Sequence, residues 1–288
     1  MKFLHLLAIL VVAIWGYTFV TTKLLIEGGL TPSQIMLYRF GIAYVCMLFV
    51  APRPLFARNI KDELLCVGAG VTGGSLYFVA ENSALALSLT SNVAIIIASA
   101  PIFTQIASHF LLEGERMTSR AFVNSIIAFV GVILVVYNGH VVLELNPIGD
   151  LLALVASAAW ALYTVFIRKL DKRGYATKFV TRKIFFYGVF TLLPVFLFIP
   201  IAPSPASILL DSSIYIPLLF LAVAASFFCF FAWGYIVEKI GATASAPYIY
   251  LVPLISLISA AIVLHERITP LALVGMGIIL FGVIRGEK

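Results

Sequence analysis

Long apolar runs recur along the whole chain, and they constrain the fold more than any other feature. The first extends from Phe3 to Leu25, with Lys23 its one charged residue. Spans are expected at roughly 3–25, 33–51, 64–85, 91–112, 119–138, 148–168, 179–201, 213–236, 242–264 and 269–285. A helix takes about 20 apolar residues to cross the hydrocarbon layer. Ten spans would use about 200 residues and leave about nine for each connection, too few for a soluble catalytic domain. Runs this long exclude an outer-membrane barrel, whose strands alternate over about ten residues. Only 11% of residues are charged and 62% are apolar, whereas a soluble domain is about 25% charged. The expected fold class is an all-α integral membrane protein with ten transmembrane helices.

The breaks between runs carry turn chemistry: Gly28-Gly29-Leu30-Thr31-Pro32, Pro52-Arg53-Pro54, Asn138-Gly139, Pro203-Ser204-Pro205 and Thr269-Pro270. At the N-terminus Trp15-Gly16-Tyr17 lies within a run that continues to Leu25. That reads as a retained first span, because signal peptides have shorter apolar cores. The bases are distributed unevenly. With the N-terminus inside, inner connections hold Arg53, Arg58 and Lys61; Arg116 and Arg120; Arg168 to Lys178; and Lys239, with Arg285 and Lys288 at the end. The outer side receives Lys23 and Arg267. Since bases concentrate on the cytoplasmic side, both termini should be cytoplasmic. The net charge of +6 thus marks topology, and no nucleic-acid partner is expected. Cys46, Cys66 and Cys229 lie in or beside apolar runs without ligand spacing and read as inert thiols.

The chain also repeats itself. Trp15 to Lys23 aligns with Trp160 to Arg168, each piece beginning with Trp and ending on a base eight residues later. Pro101-Ile102-Phe103 leading to Gly114-Glu115-Arg116 matches Pro253-Leu254-Ile255 leading to His265-Glu266-Arg267, with one extra residue near Glu113. Phe129 to Ile133 matches Leu280 to Ile284. Two five-helix repeats follow, at 1–140 and 147–286. An odd number of spans per copy makes the second enter the membrane inverted. Such repeats are a recurring transporter architecture, with the substrate site near the midplane between them.

The Trp15-Gly16 helix, the Pro101…Glu115-Arg116 unit and the Pro253…Glu266-Arg267 unit together resemble the drug/metabolite transporter superfamily, in particular its EamA-type proteins of ten spans. The resemblance covers essentially the whole chain; the extra residue at Glu113 departs from it. It implies an inner-membrane carrier, often an exporter of amino acids or related metabolites. It also implies a central cavity lined by the first, third and fourth helices and their repeats.

Intramembrane charge is costly, about 2.5–3.5 kcal/mol at a helix centre on insertion scales. Arg39 and Glu81 are therefore expected to pair near the outer mouth of the cavity; a structural pair, substrate contact and proton coupling at Glu81 all remain open. Cavity lining is expected from Trp15, Tyr77, Tyr163, Trp233, Tyr248 and Tyr250, with Tyr17 and Tyr235 as further tyrosines within spans, although aromatic residues also form interfacial belts. Asn82, Asn92 and Ser99 can add hydrogen bonds or merely link helices. Pro101 and Pro253 lie inside the fourth and ninth spans as duplicated hinge or gate candidates, or as fixed kinks. Gly70 and Gly74 have the spacing of a close helix contact. Thr118 and Thr269 are candidate N-caps beside the two Glu-Arg turns, and His109 reads as a packing histidine.

A secondary carrier for small metabolites, an amino acid or relative with export favoured by resemblance, accounts for the two copies. The alternative is a membrane-embedded enzyme acting on lipid or isoprenoid substrates, but no cluster of His, Asp or Glu suits it. His5, His109, His140 and His265 are scattered without metal spacing. No G-x-x-x-x-G-K-[ST] loop is present, so neither ATP hydrolysis nor a cofactor is expected. The partners implied are a small-molecule substrate and membrane lipid. A proton or other coupling ion and the oligomeric state are left open.

Overall fold

A backbone in hydrocarbon must satisfy its N–H and C=O groups within its own segment, so each apolar run folds as helix. The computed structural model describes residues 2–88, 90–137, 146–197, 210–263 and 268–286. The first half comprises α1 (Lys2–Glu27), α2 (Pro32–Val50), α3 (Ile60–Gly70), a π-helical turn (Val71–Ser75), α4 (Leu76–Leu87), α5 (Thr90–Ile97), α6 (Ala100–Leu111) and α7 (Ser119–Tyr137). The second comprises α8 (Pro147–Lys172), α9 (Thr177–Leu192) with a 3-10 turn (Leu193–Leu197), and α10 (Ser212–Leu219), which runs through a π-helical segment (Phe220–Phe228) into α11 (Cys229–Ile240). It ends with α12 (Ala242–Ser245), a 3-10 turn (Ala246–Tyr250), α13 (Leu251–Val263) and α14 (Pro270–Gly286).

Eight helical stretches among the described residues are long and apolar enough to cross a membrane. Two shorter helices, α9 with 16 residues and α14 with 17, complete ten. The protein is an all-α membrane protein. Its outer surface is apolar: Phe49 is 84% exposed and Phe110 77%, positions that suit lipid contact. The seventh helix turns 3-10 after Leu192, earlier than the expected span to 201, whose last residues lie outside those described. So do Asn138-Gly139, Pro203-Ser204-Pro205, His140, His265 and the Glu266-Arg267 pair.

Helix starts follow their local chemistry. Thr31 and Gln34 form a reciprocal capping box on α2, with Pro32 in the first turn. Asn59 and Asn146 cap α3 and α8. Thr118 and Thr269 accept from the backbone N–H groups of Ala121 at 3.1 Å and Ala272 at 3.3 Å, as expected of N-caps.

The fourth span breaks at Ala98-Ser99, which places Pro101 at a helix start and not inside a helix, while the ninth changes from 3-10 to α winding at Leu251. Pro101 stands in the first turn of α6, after the break at Ala98-Ser99, and Pro253 is the third residue of α13. Pro101 fits a helix start because the donor it lacks would have no partner there, whereas Pro253 lies inside one helical stretch, Ala242–Val263. At the first break the Ile96 carbonyl accepts from the Ser99 N–H at 3.0 Å and, across the bundle, from the Ser157 hydroxyl on α8 at 2.9 Å.

Small residues set the closest packing. A Cβ on Gly16 would lie 2.5 Å from Ile255 Cβ, so α1 and α13 touch at that point. Gly70 and Gly74 face Tyr187 and Gly188 of α9, which makes their spacing an internal contact. The α7–α14 seam closes on Gly131, Gly275 and Gly282.

Candidate functional site

The two π-helical segments place the central site. A π turn breaks the i→i−4 ladder and re-aims its groups. At the second one, two neighbouring residues are claimed by other helices. The Trp15 indole Nε1 donates to Ala225 O at 2.9 Å, and Arg39 Nε donates to Ser226 Oγ at 2.8 Å. Trp15 meets Trp160 edge-on, with ring centroids 5.4 Å apart and planes at 86°, and lies 5.4 Å from Trp233. Trp160 in turn contacts Tyr163 at 5.0 Å and Tyr77 at 5.7 Å. Phe230 packs against Trp15, Trp160 and Tyr163. Two polar tips in this aromatic centre, the Tyr163 hydroxyl and Trp233 Nε1, are buried without a protein partner. Leaving such a group unsatisfied costs about 1–3 kcal/mol.

Arg39 and Glu81 do not form the expected contact pair. Among the described residues the guanidinium bonds to Ser226 and sits 5.3 Å over the Phe78 ring. The Glu81 carboxylate accepts from the Tyr77 hydroxyl at 3.2 Å, one helical turn earlier. Each of the two is thus engaged by another group, Arg39 across the bundle and Glu81 on its own helix.

A second region lies at the end of the bundle that gathers the basic connections. There a cavity of about 500 Å³ is bounded by α6, α7, the Glu113–Arg116 turn, the end of α8, the Gly241 turn and Gly282 of α14. Glu115 staples its wall, accepting from Arg168 Nε at 2.9 Å and from the backbone N–H groups of Ala242 at 3.0 Å and Thr243 at 2.9 Å. Burial pushes the Glu115 carboxyl up, but the two N–H groups and Arg168 outweigh it and hold the group below its ordinary range. Gly241, at φ 91, leaves room for this carboxylate; a Cβ there would lie 2.7 Å from Glu115 Oε1. Arg168 also pairs with Asp171 and donates to Glu238 O. The same end holds the ion pairs Arg173–Asp62 and Lys183–Glu63, and Arg182 bonds to Ala51 O and Pro54 O. Arg168 and Arg173, read as topology determinants, therefore also tie helices together.

Of the residues singled out in the sequence, Trp15, Tyr77, Tyr163 and Trp233 meet in the centre, with Glu81 bonded to Tyr77 beside them; Asn82 is half-buried on the same helix. Ser99 instead serves the α5–α6 break, bonding to Ile96 O and Ser157. Tyr248 and Tyr250 do not join the centre. Tyr248 bonds through its hydroxyl to His5, and the Tyr250 hydroxyl lies beside Ser125, outside hydrogen-bond geometry. These two tyrosines belong to a 3-10 turn, whose tighter winding directs them toward α1 and α7. Tyr17 is 37% exposed against Phe220, Tyr235 packs under Lys239, and His109 Nδ1 accepts from Met117 N–H at 3.4 Å. Sequence reasoning missed Ser226, Gln105, Asn124 and Ser125. Each is a polar residue within an apolar run, and that signal could have found them.

Comparison with known proteins places these features. The EamA-like transporter family matches residues 2–137 and again residues 147–285. An uncharacterized transporter of Archaeoglobus fulgidus is 29% identical over 276 residues, covering 95% of both chains. A probable amino-acid metabolite efflux pump of Escherichia coli is 25% identical, covering 96% of this chain and 92% of its own. A probable terminal-alkyne amino-acid exporter of Streptantibioticus cattleyicolor is 28% identical, covering 96% and 90%. A solved crystal structure shares the fold at a TM-score of 0.80 and 16% identity, covering 99% of this chain and 96% of that one.

Proposed function

Because the chain belongs to the EamA-like transporter family, we propose that it is a secondary carrier, and not an enzyme, that exports an amino acid or related metabolite by alternating access. The relatives named as amino-acid metabolite pumps and exporters support the substrate class. The uneven distribution of bases supports an inner-membrane setting with cytoplasmic termini.

Two inverted five-helix halves, 1–140 and 147–286, give alternating access a physical basis: exchanging the conformations of two similar halves opens the opposite face. Matching features support the pairing of the halves. The third and eighth helices both contain π turns, the fourth and ninth both depart from regular α winding shortly before a proline, and α7 packs on α14. Trp15 and Trp160, aligned by the repeat, meet ring to ring. In this reading the irregular spans at Pro101 and Pro253 are the hinges.

One observation carries the path. The buried, unpartnered Tyr163 hydroxyl and Trp233 Nε1 sit among aromatic side chains at the junction of the halves. A polar solute passing between apolar rings would satisfy both groups, the pattern of a small-molecule site. Trp15, Tyr77, Tyr163 and Trp233 then line the path, with Glu81 and Asn82 beside it. Counterflow in liposomes with labelled amino acids and nucleobases tests this, since it needs no ion gradient. Saturable exchange that is lost in a folded Trp15→Ala variant supports the path. Exchange indifferent to Trp15 and Tyr163 sinks it.

A further inference from the structure

The cavity at the basic end stands apart from the aromatic centre, and its wall carries polar groups that no helix contact uses. Gln105 is fully buried on α6, and neither its Oε1 nor its Nε2 has a protein partner. Asn124 Nδ2 and Ser125 Oγ on α7, 6% and 2% exposed by residue, are likewise unpartnered. All three line the cavity of about 500 Å³. As packing residues they would be poor choices, because each orphaned group costs about 1–3 kcal/mol that an apolar side chain of the same size avoids. The mouth is charged in both senses: Arg116 and Lys172 bring positive charge and Glu113 negative. Glu115 and Arg168 are committed to each other and to backbone groups.

We propose that this cavity is a binding site for a small zwitterion that carries a neutral carboxamide side chain. A carboxamide presents one acceptor and two donors in a plane, the complement of the free Gln105 amide, with Asn124 Nδ2 and Ser125 Oγ beside it. The carboxylate of the solute pairs with Arg116 at the mouth, and its ammonium group with Glu113. The site's role as a loading station rests on the transporter reading; binding itself rests on the cavity.

The test is thermal unfolding of the full-length protein in detergent with L-glutamine as probe. L-methionine, of similar size, lacks the amide, and 4-aminobutanamide lacks the carboxylate. Glutamine should raise the unfolding temperature saturably, with the other two at least about tenfold weaker, because a site built for a hydrogen-bonding group rejects the analogue without it. Gln105→Leu should abolish the glutamine shift while raising the ligand-free unfolding temperature. Arg116→Gln, an exposed change that leaves the fold intact, should weaken glutamine and leave 4-aminobutanamide unaltered. Equal shifts from glutamine and methionine, no shift from glutamine, or a shift that survives Gln105→Leu overturns the proposal. Counterflow of glutamine without a shift that depends on Gln105 removes this site and keeps the transporter reading. A Gln105-dependent shift without counterflow of any amino acid does the reverse.

Discussion

A methyl group added at Gly131 would lie 2.7 Å from the carbonyl oxygen of Gly275 and 2.7 Å from the amide nitrogen of Ile279. One at Gly275 would lie 2.7 Å from Gly131 O and 2.9 Å from Val135 N. These obstacles include backbone on both sides, so no side chain can simply swing away. Ordinary contact for a Cβ begins at 3.4 Å, so α7 and α14 must part by 0.7 Å, the difference between 3.4 and 2.7. A gap of 0.5–1 Å forfeits roughly a quarter to a half of the dispersion energy across a contact. Gly131→Ala should therefore destabilise the protein by about 1–3 kcal/mol, the usual range for overpacking. Gly131→Ala combined with Gly275→Ala should cost less than the sum, since both act on one seam. Gly277, on the same helix, has open space around it: a methyl group added there would meet nothing within 4 Å. Gly277→Ala should stabilise by about 0.5–1 kcal/mol through helix propensity alone. Reversible unfolding in mixed micelles, with rising detergent denaturant, measures all of these. A Gly131→Ala protein as stable as the parent, or a Gly277→Ala protein as damaged as Gly131→Ala, refutes the close-seam reasoning.

Other outcomes follow from the two sites. The folded Glu115 carboxyl lies below its ordinary 4.5, so its stabilisation is complete above about that pH and is lost as pH falls through the lowered folded value. Unfolding temperature should accordingly drop more steeply in acid for the parent than for Glu115→Gln. Gly241→Ala adds a side chain at φ 91 and displaces Glu115; a destabilisation of at least about 1–3 kcal/mol is expected, measured in the same unfolding assay. Tyr163→Phe removes a hydroxyl that has no partner, so stability should stay within about 1 kcal/mol of the parent or rise while the counterflow KM increases. An unchanged pH dependence of transport in Glu81→Gln would remove proton coupling from that residue.

The ten helices were legible because hydrocarbon leaves a backbone no partner but itself, and length and hydropathy then decide where a span can lie. The helix starts at Thr118 and Thr269 were legible, and those at Thr31, Asn59 and Asn146 obey the same local rule, since a cap needs only its own first turn. The sequence similarity of the segments at Trp15 and Trp160 set the two side by side, but nothing local said that they would meet edge-on, or that Trp233 would complete the cluster. Arg39 and Glu81 illustrate the limit. Their cost in the membrane was readable from composition, whereas the choice of Ser226 and Tyr77 over each other depended on where a π turn and the Phe78 ring stand in three dimensions.

Solvent, helix count and the class of protein were all settled along the chain itself, because each rests on summed properties or on residue order. Which polar groups remain without partners was settled only when the helices packed. Gln105 reads like any residue that could link two helices, and it becomes a candidate ligand group only when the helices around it leave a cavity and offer it nothing. Satisfaction of a buried donor or acceptor is a property of a place, set by groups from several helices at once.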